Sequence, residues 1–311
     1  MRLLRDLDSL PDQLLDTAVS IGNFDGVHLG HAGLVERLVV RAREVGGPAV
    51  VLTFDPHPAR LLRPDRAPSP LCWTERKAEL LGRLGADVVV AYPTTEAFLK
   101  LDPRQFFDHV LREKLGARAV VEGTNFFFGR GRQGNIDVLG TLCDEAGIVL
   151  DVVEPVPFEG RIVSSSRIRR LLAEGHIEPA RRMLTEPYRI RGTVVRGAGR
   201  GTDLGFPTAN VDGVDTLLPR EGIYAGRALV DGRPWPSAIS LGPNPTFDEG
   251  VLKLEVFLID YAGDLYDRQI EVDFLARLRD IVRFDSVGKL VAAMERDVAA
   301  AREIAASHAD E

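Results

Sequence analysis

Cysteine is scarce in this sequence, with Cys72 and Cys143 the only two among 311 residues. This excludes a disulfide framework and a cysteine-rich zinc site, and we expect both thiols to be small buried apolar groups. Long apolar runs are also missing: no stretch of about 18 apolar residues occurs, and the residues after Met1 lack the apolar core of a signal peptide. We therefore expect no membrane partner and a cytoplasmic location.

An excess of positive charge is missing too. Lysine and arginine together number 39 against 46 aspartate and glutamate residues, which leaves a net charge of −7. This balance excludes a general nucleic-acid coat, so any anionic substrate must be met by local donors. The length suggests two domains of about 150 residues each. A composition with 45% hydrophobic and 27% charged residues is typical of a soluble globular protein.

Short β-rich runs alternate with amphipathic helical stretches in the first half of the chain. This alternation indicates βαβ units and a parallel sheet, hence the α/β class. In such a sheet, ligands bind beyond the carboxyl ends of the strands. The expected strands are residues 19–22, 49–54, 86–91 and 119–122, and the expected helices are residues 33–44, 74–84 and 103–115.

The pattern changes near residue 186, after which five extended runs follow one another without helices between them. They predict a small β-barrel or sandwich of the all-β class. A terminal helix follows, with Ser286 as N-cap and an apolar stripe that we expect to pack on the strands. We place the boundary within 183–188 and expect domains of residues 1–185 and 186–311. The runs are residues 188–196, 222–230, 234–241, 252–260 and 269–275.

The segment Gly22–His31 follows the first predicted strand and begins a helix. Its glycines allow a tight turn and close approach to a ligand. His28 and His31, three residues apart at a helix N-terminus, would both point at one anion, which the free N–H groups and the helix dipole also attract. The alternative is that the histidines are purely structural. A second loop, Thr53–Pro58, ends the next strand, and there His57 either contacts a ligand or caps the turn.

The two segments together resemble the HxGH signature region of nucleotidylyltransferases, and specifically the adenylyltransferase module of prokaryotic FAD synthetases. Transfer of this kind depends mainly on positioning and on stabilising charge. The resemblance implies that His28 and His31 stabilise the adenylyl transition state. It also implies nucleotide or flavin contacts from Gly22, Phe24, Asp25, Gly30, Asp55 and His57.

The loop Gly123–Gly134 contains the letters GxGxxG at Gly129, Gly131 and Gly134. That pattern is a weak dinucleotide fingerprint by itself, and three phenylalanines stand where it requires the end of a strand. An aromatic cluster beside amide and guanidinium groups suits a planar ring next to an anion. The resemblance places flavin or nucleotide contacts here, although the aromatic side chains could instead belong to the core. The residues implied are Asn125, Phe127 and Arg130.

Three hydroxyls precede two arginines in Ser164–Arg169, at the start of another predicted helix. Hydroxyls at such a position usually form an N-cap, but with arginines they can also cradle pyrophosphate. The string is similar to the second nucleotidylyltransferase signature, with a serine in place of its threonine. The resemblance implies that Ser164, Ser165, Ser166 and Arg169 bind phosphate.

The most motif-rich stretch is Gly192–Asn210, where a glycine-rich flap precedes a Phe-Pro turn. Thr208 and Asn210 offer hard oxygens suited to Mg²⁺, and flap N–H groups could hold phosphate. The glycines and prolines could also form ordinary β-turns. The string resembles the flap and Pro-Thr-Ala-Asn motif of riboflavin kinases, with Thr202 where the flap pattern has a basic residue. Implied binding residues are Gly197, Gly199, Arg200, Gly201, Gly205, Phe206, Pro207, Asn244 and Thr246.

Glu255 interrupts an apolar strand, with Leu254, Val256 and Leu258 on the opposite face. An acid in this position is either a surface residue or a general base. The riboflavin kinase resemblance implies the second, a base that takes the proton of the ribityl 5′-hydroxyl.

These resemblances cover nearly the whole chain and imply the family of bifunctional riboflavin kinase/FAD synthetases. The implied fold is an N-terminal Rossmann-like nucleotidylyltransferase domain followed by a riboflavin-kinase-like β-barrel with a terminal helix. The implied reactions make FMN from riboflavin and then FAD from FMN, with ATP as co-substrate and Mg²⁺ in both. We expect no nucleic-acid partner and a monomer or weak homo-oligomer. The alternatives are a nucleotidylyltransferase that transfers CMP and a non-catalytic flavin-binding regulator.

Overall fold

The structure is a computed structural model that describes residues 1–8, 15–244, 246 and 249–308. The chain folds into two compact units. The first comprises Met1–Ser69 and Trp73–Ser164, and the second comprises Pro70–Cys72 and Ser165–Glu311.

The first unit alternates strands with helices, as the sequence predicts. Its strands are β1 (Arg2–Leu4), β2 (Thr17–Ile21), β3 (Ala49–Phe54), β4 (Val88–Tyr92), β5 (Ala117–Gly123), β6 (Val149–Val153), β7 (Pro157–Phe158) and β8 (Arg161–Ile162). Its helices are α1 (Leu29–Val45), α2 (Ala59–Leu62), α3 (Thr74–Arg83), α4 (Glu96–Leu99), α5 (Pro103–Phe106) and α6 (Ile136–Ala146).

Six of these strands form one sheet in the order β1-β4-β3-β2-β5-β6, and every neighbouring pair is parallel. The chain moves outward from β2 through β3 to β4, then returns to the other side of β2 with β5. The strand order therefore reverses between β2 and β5. Such a reversal opens a crevice at the carboxyl ends of the strands, where ligands bind in open α/β sheets.

Apolar side chains cover both faces of this sheet, as expected for buried parallel strands. Val19, Val50 and Val120 face one core cluster, while Ala18 and Val51 face the other. The α/β expectation for this half is confirmed.

Two features of the first unit differ from the expectation. The helix expected over 103–115 ends as an α-helix at Phe106, and its remainder, Phe107–Lys114, continues in wider π-helical turns. The sequence analysis also missed both edge strands of the sheet, β1 and β6. In β6, Asp151 is ion-paired with Arg37 and interrupts the apolar segment, so the strand lacks the continuous apolar run of its neighbours.

The second unit is built around a closed antiparallel barrel in the order β10-β13-β12-β11-β14-β9. The closure decides between barrel and sandwich, which the sequence left open. The strands are β9 (Tyr188–Val195), β10 (Ala209–Asp212), β11 (Gly222–Val230), β12 (Arg233–Asn244), β13 (Glu249–Leu258) and β14 (Gln269–Arg279). The helices are α7 (Ser165–Glu174), α8 (Ile177–Arg181), α9 (Arg200–Asp203) and α10 (Val287–Ser307).

The terminal helix α10 begins as predicted, because the Ser286 side chain accepts a hydrogen bond from the Lys289 N–H. Its small buried residue Ala301 packs with Ala225 and Ile259 of the barrel unit. Helices α7 and α8 also belong to the second unit, although they precede the domain boundary expected at 185–186.

Two candidate active sites

A cavity of about 900 Å³ lies at the carboxyl ends of β2, β3 and β5, where the strand order reverses. This is within the size range of small-molecule sites. Six of the residues expected in the first-half site line it. They are Gly22, Phe24, His31, His57, Asn125 and Phe127.

The two histidines form a reciprocal cap at the start of α1. The His31 N–H donates to His28 Nδ1, and the His28 N–H donates to His31 Nδ1. Each donor–acceptor distance is 3.3 Å. The two rings stack with centroids 3.6 Å apart and 11° between their planes. The backbone therefore holds both imidazoles in one orientation at a helix N-terminus, which favours anion binding.

The hydrogen bonds also determine which nitrogen carries the proton. Because each Nδ1 accepts, the neutral rings carry their proton on Nε2. Neither Nε2 has a hydrogen-bond partner within the described part of the chain. Burial lowers the pKa of His28 to about 4, and burial together with the charges of His28 and Lys77 lowers the pKa of His31 well below its ordinary value. At neutral pH the pair therefore presents uncharged donors, not cations.

Gly30 lies directly against the ring of His28. A Cβ at this position would stand 3.2 Å from ring atoms Cε1 and Nδ1, so the imidazole would have to move. For the adenylyl transfer that the sequence resemblance implies, we expect Gly30→Ala to lower the rate by about tenfold or more, because small displacements of positioned groups are costly to catalysis. Steady-state assays of FAD formation from FMN measure this effect.

Gly33, one turn later in α1, is the matched control. A Cβ there meets only Val156 at 3.7 Å, an ordinary contact. Gly33→Ala should keep the activity and raise the stability by about 0.5–1 kcal/mol, the usual gain in a helix interior. Equal activity of the two variants would contradict the positioning role of Gly30.

The lowered pKa of His28 also predicts how stability depends on pH. The unfolded chain takes up a proton near pH 6.5 and the folded chain only near pH 4, so stability is present above 6.5 and is lost as the pH falls towards 4. His28 contributes about 3 kcal/mol to the free energy of unfolding at neutral pH. Urea unfolding of a Trp235→Phe protein, followed through Trp73 in the first unit, should show this loss. The lowered pKa of His31 also makes stability fall as the pH falls. The raised pKa of Glu122 has the opposite effect, because it makes stability fall as the pH rises.

His28→Asn isolates the effect, since asparagine can still cap the helix but does not titrate. We expect this variant to lose less stability between pH 6.5 and 4 than the parent protein does. The exposed His109 supplies the control substitution His109→Asn. An unchanged pH slope in His28→Asn would contradict the neutral, buried state of His28.

Lys77 does not line the cavity, but its charge acts on His31, and the sequence analysis missed it. Its side chain is buried on α3, and Nζ donates to Thr53 Oγ1 at 3.2 Å, while Thr53 donates to the Asn23 carbonyl in the histidine loop. Within the described part of the chain it has no acidic partner. The sequence could have indicated Lys77, because it lies four residues before the buried Leu81 and therefore on the apolar face of the helix. A cation on such a face is rarely buried without a role.

The other loop residues support the histidine pair. Phe24 is buried at 2% exposure, with its ring centroid 5.0 Å from that of His31, and Asp25 is buried as well. His57 caps the turn, because its Nδ1 accepts from the Ala59 N–H at 3.0 Å, and it also lines the cavity. Asp55 accepts a hydrogen bond from Thr74 Oγ1 at 2.5 Å.

The aromatic loop divides between core and cavity. Phe128 is buried in the core and stacks on Phe126 with centroids 5.5 Å apart, whereas Phe127 is 46% exposed. The Arg132 guanidinium lies 4.3 Å above the Phe127 ring, and Arg132 lines the cavity. The Arg130 N–H donates to Leu101 O. No helix begins at the GxGxxG letters, which instead surround a short 3₁₀ turn, Arg130–Arg132.

The hydroxyls expected to bind phosphate lie at the beginning of α7. Ser165 is the first residue of this helix, and Ser166 and Arg169 lie within its first turns, in the second unit. Ser164 is the last residue of the first unit. The helix start confirms the placement expected for this segment.

A second cavity, of about 140 Å³, lies in the barrel unit. Residues from the flap, the barrel strands and α10 line it. Those expected from the sequence are Arg200, Gly201, Phe206, Thr208, Asn244, Thr246 and Glu255.

Strand register brings the polar residues of this site together. Asn210 on β10 lies opposite Glu255 on β13, which lies opposite Ser240 on β12, so the three side chains share one face of the barrel wall. Leu254 and Val256 are buried on the other face, as predicted. Glu255 is therefore not a surface residue, since it lines a cavity that α10 and the flap cover.

The flap rests directly on the two oxygen donors proposed for a metal. A Cβ at Gly197 would lie 2.2 Å from the Asn210 amide nitrogen, and one at Gly201 would lie 3.2 Å from Thr208 Oγ1. The cavity is also smaller than the about 300 Å³ typical of small-molecule sites. The flap residues Ala198, Arg200 and Gly201 form part of the wall of this cavity.

Several residues of the second site were not found from the sequence. Arg279 on β14 forms an ion pair with Asp297 on α10 at 2.7 Å, and both line the cavity together with Leu290 and Met294 of the predicted apolar stripe. The stripe thus faces the site as well as the barrel. No local signal could identify the pair, because the two residues lie on separate elements.

The first unit has the architecture of nucleotidylyltransferases, with a histidine pair at the crevice of a parallel sheet, and the second is a barrel with a cavity under a glycine-rich flap. Two family models match in the same order: FAD synthetase over residues 10–167 and riboflavin kinase over residues 184–305. The chain belongs to the family of bifunctional riboflavin kinase/FMN adenylyltransferases.

Curated relatives with that name cover nearly the full chain. The protein of Pseudomonas fluorescens is 37% identical over 99% of both chains, and that of Escherichia coli (strain K12) is 34% identical over 97% of both. A crystal structure described as a macrolide-efflux protein from Streptococcus pneumoniae has a TM-score of 0.86 and 29% identity, covering 96% of this chain and 98% of that one. The helices in the described ranges are all too short or too polar to cross a membrane.

Proposed function

We propose that this protein makes FAD from riboflavin in two steps. Residues 186–311 transfer the γ-phosphoryl group of ATP to riboflavin and give FMN and ADP. Residues 1–185 then transfer AMP from a second ATP to FMN and give FAD and pyrophosphate. The observation that carries this proposal is the pair of separate cavities, one lined by His31 and the other by Glu255.

The first site would act through positioned hydrogen-bond donors. The neutral histidines offer Nε2–H groups, whose strength as donors grows where negative charge develops on the transferred phosphoryl group. Ser164, Ser165, Ser166 and Arg169 hold the β- and γ-phosphates of ATP. No protein nucleophile is needed, because the FMN phosphate oxygen attacks the α-phosphorus directly and pyrophosphate leaves.

The flavin and nucleotide bind around the same crevice. Asn125, Phe127 and Arg130 contact the planar ring and its anionic end, and Asp55 and His57 approach from the end of β3. Gly22, Phe24, Asp25 and Gly30 shape the loop that receives phosphate. The stacking of Arg132 on the exposed Phe127 ring supports this interpretation, since such a surface suits a second planar group.

The second site would act by general base catalysis. Glu255 takes the proton of the ribityl 5′-hydroxyl as that oxygen attacks the γ-phosphorus. The nucleotide contacts come from the turn and flap residues. They are Gly197, Gly199, Arg200, Gly201, Gly205, Phe206, Pro207, Asn244 and Thr246.

The oxygens of Thr208 and Asn210 fit Mg²⁺ in the manner common to nucleotide enzymes. The described residues contain no cluster of three histidine, cysteine or acidic side chains that could hold a metal alone. Mg²⁺ usually takes one or two protein oxygens and completes its shell with phosphates and water. When bound, the ion neutralises the charge of the transferred phosphoryl group. We propose that both reactions require Mg²⁺, which removal by EDTA would test.

Product analysis tests the whole proposal. Riboflavin, ATP and Mg²⁺ are mixed with the protein, and flavins and nucleotides are separated by chromatography over time. We expect FMN first and FAD later, with ADP and pyrophosphate as the other products. Consumption of CTP in place of ATP, or flavin binding without turnover, would contradict the proposal.

We also propose that the protein works in the cytoplasm as a monomer or weak homo-oligomer, without a nucleic-acid or membrane partner. Sedimentation velocity over a range of concentrations tests the first part. A stable assembly at nanomolar concentration would contradict it.

A further inference from the structure

Strands β2 and β5 separate at the crevice of the first unit. Their pairing ends at Val19 and Val120, whereas β2 continues beside β3 to Ile21 and Leu52. The last residues of β2 therefore lack ladder partners on the β5 side. This opening is the place where the reversal of strand order creates a ligand site.

Glu122 occupies the gap between the two strands. It is on β5, is 2% exposed, and its Oε1 accepts a hydrogen bond of 2.6 Å from the Ile21 N–H. This bond replaces the missing ladder contact just before the histidine loop begins. Glu122 also lines the cavity with His31 and Asn125, and its other oxygen, Oε2, has no partner within the described part of the chain.

The chemistry of this carboxyl group follows from its surroundings. Burial raises the pKa of Glu122 well above its ordinary value, and the Ile21 N–H only partly opposes the shift. Burial without a cationic partner favours the neutral form of an acid, and a neutral carboxyl group has one O–H donor. A donor left without a partner in a cavity is costly, so a ligand that supplies an acceptor gains affinity.

We propose that Glu122 is a substrate-binding residue of the adenylyl-transfer site, where its Oε2 hydrogen-bonds an uncharged ribose hydroxyl or ring heteroatom of a bound nucleotide. The inference rests on the proposed function. The phosphates are assigned to the helix N-terminus at His28 and His31, which leaves the uncharged groups of the nucleotide as partners for Glu122. Both ATP and FMN carry such uncharged groups, and the experiment separates them.

Two variants of similar length test the proposal in the full-length protein. Glu122→Gln keeps an acceptor for the Ile21 N–H and a donor for the substrate. Glu122→Met keeps the volume but makes neither hydrogen bond. The KM for ATP, the KM for FMN and the kcat of FAD formation are measured separately, and the fold of the first unit is followed by Trp73 fluorescence in a Trp235→Phe background.

We expect Glu122→Met to raise one KM by about tenfold, as the loss of one buried hydrogen bond predicts. The KM values of Glu122→Gln should stay within about threefold of those of the parent protein. A rise in the KM for ATP identifies ATP as the contacted nucleotide, and a rise in the KM for FMN identifies FMN.

Unchanged KM values for both substrates in Glu122→Met would overturn the proposal and leave Glu122 as an anchor for β2 alone. Equal losses in both variants would overturn it too, because the amide can make both bonds. If Glu122→Met does not fold, Glu122→Asp takes its place: its side chain is one methylene shorter and cannot reach Ile21 and the substrate together, so the same rise is expected. A parent protein that makes no FAD from FMN would refute the proposed function, a separate result.

Discussion

Replacing Glu255 by alanine should abolish the formation of FMN from riboflavin. The residue lines the barrel cavity and shares its face with Asn210 and Ser240, so no other acid on these paired positions can take over the proton. Loss of a general base usually lowers kcat by about 10²–10⁴. Chromatographic detection of FMN after incubation with riboflavin, ATP and Mg²⁺ measures the effect.

The same variant carries its own control, because FAD formation from added FMN depends on the other site. We expect that activity to remain within about twofold of the parent protein, as for a surface substitution. Glu295→Ala, which removes an exposed acid from α10, should leave both activities intact. Equal loss of both activities in Glu255→Ala would contradict the assignment of the two reactions to the two sites.

Replacing His28 and His31 together by alanine should make FMN accumulate from riboflavin. The change removes both Nε2–H donors from the helix N-terminus, and each donor of this kind is worth about 10²–10³ in kcat. FAD formation should therefore fall by at least about 10³, while riboflavin phosphorylation continues at the parent rate. A time course of riboflavin, FMN and FAD shows the difference directly.

Loss of the reciprocal cap must be separated from loss of the donors. Removing an N-cap side chain costs about 1 kcal/mol, so the double variant will also be less stable. His28→Asn with His31→Gln keeps acceptors for the two backbone N–H groups and serves as the stability-matched comparison, and His109→Ala controls for the loss of an exposed histidine. Undiminished FAD output from the double alanine variant would refute the first site.

The sequence predicted the parts of this fold that depend on local pattern. Continuous apolar runs such as 49–54 indicate strands covered on both faces, and period-2 alternation such as that around Glu255 indicates a strand with two different faces. Motifs at the ends of such strands are also local, which is why the histidine pair and the flap could be found without a structure. The edge strand β6 was missed because Asp151 interrupts its short apolar run.

Contacts between distant residues could not be predicted in this way. The ion pair of Arg279 with Asp297 joins a strand to the terminal helix, and Lys77 reaches Thr53 from another element. Both depend on which elements become neighbours, which local periodicity does not encode. The protonation state of the histidines could not be predicted from the sequence either, because the pKa of His28 depends on its burial in the folded protein.

The sequence by itself determined the two fold classes, their order and the chemistry available to each half, because these depend on composition, periodicity and short motifs. Only the tertiary structure decided that β2 and β5 part at the crevice, that Glu122 lies between them, and that the histidines are neutral donors. The physical reason is the same in each case. Burial and strand order are properties of the folded chain. They determine the protonation state of each side chain and the groups that it contacts, whereas the sequence determines only which side chain it is.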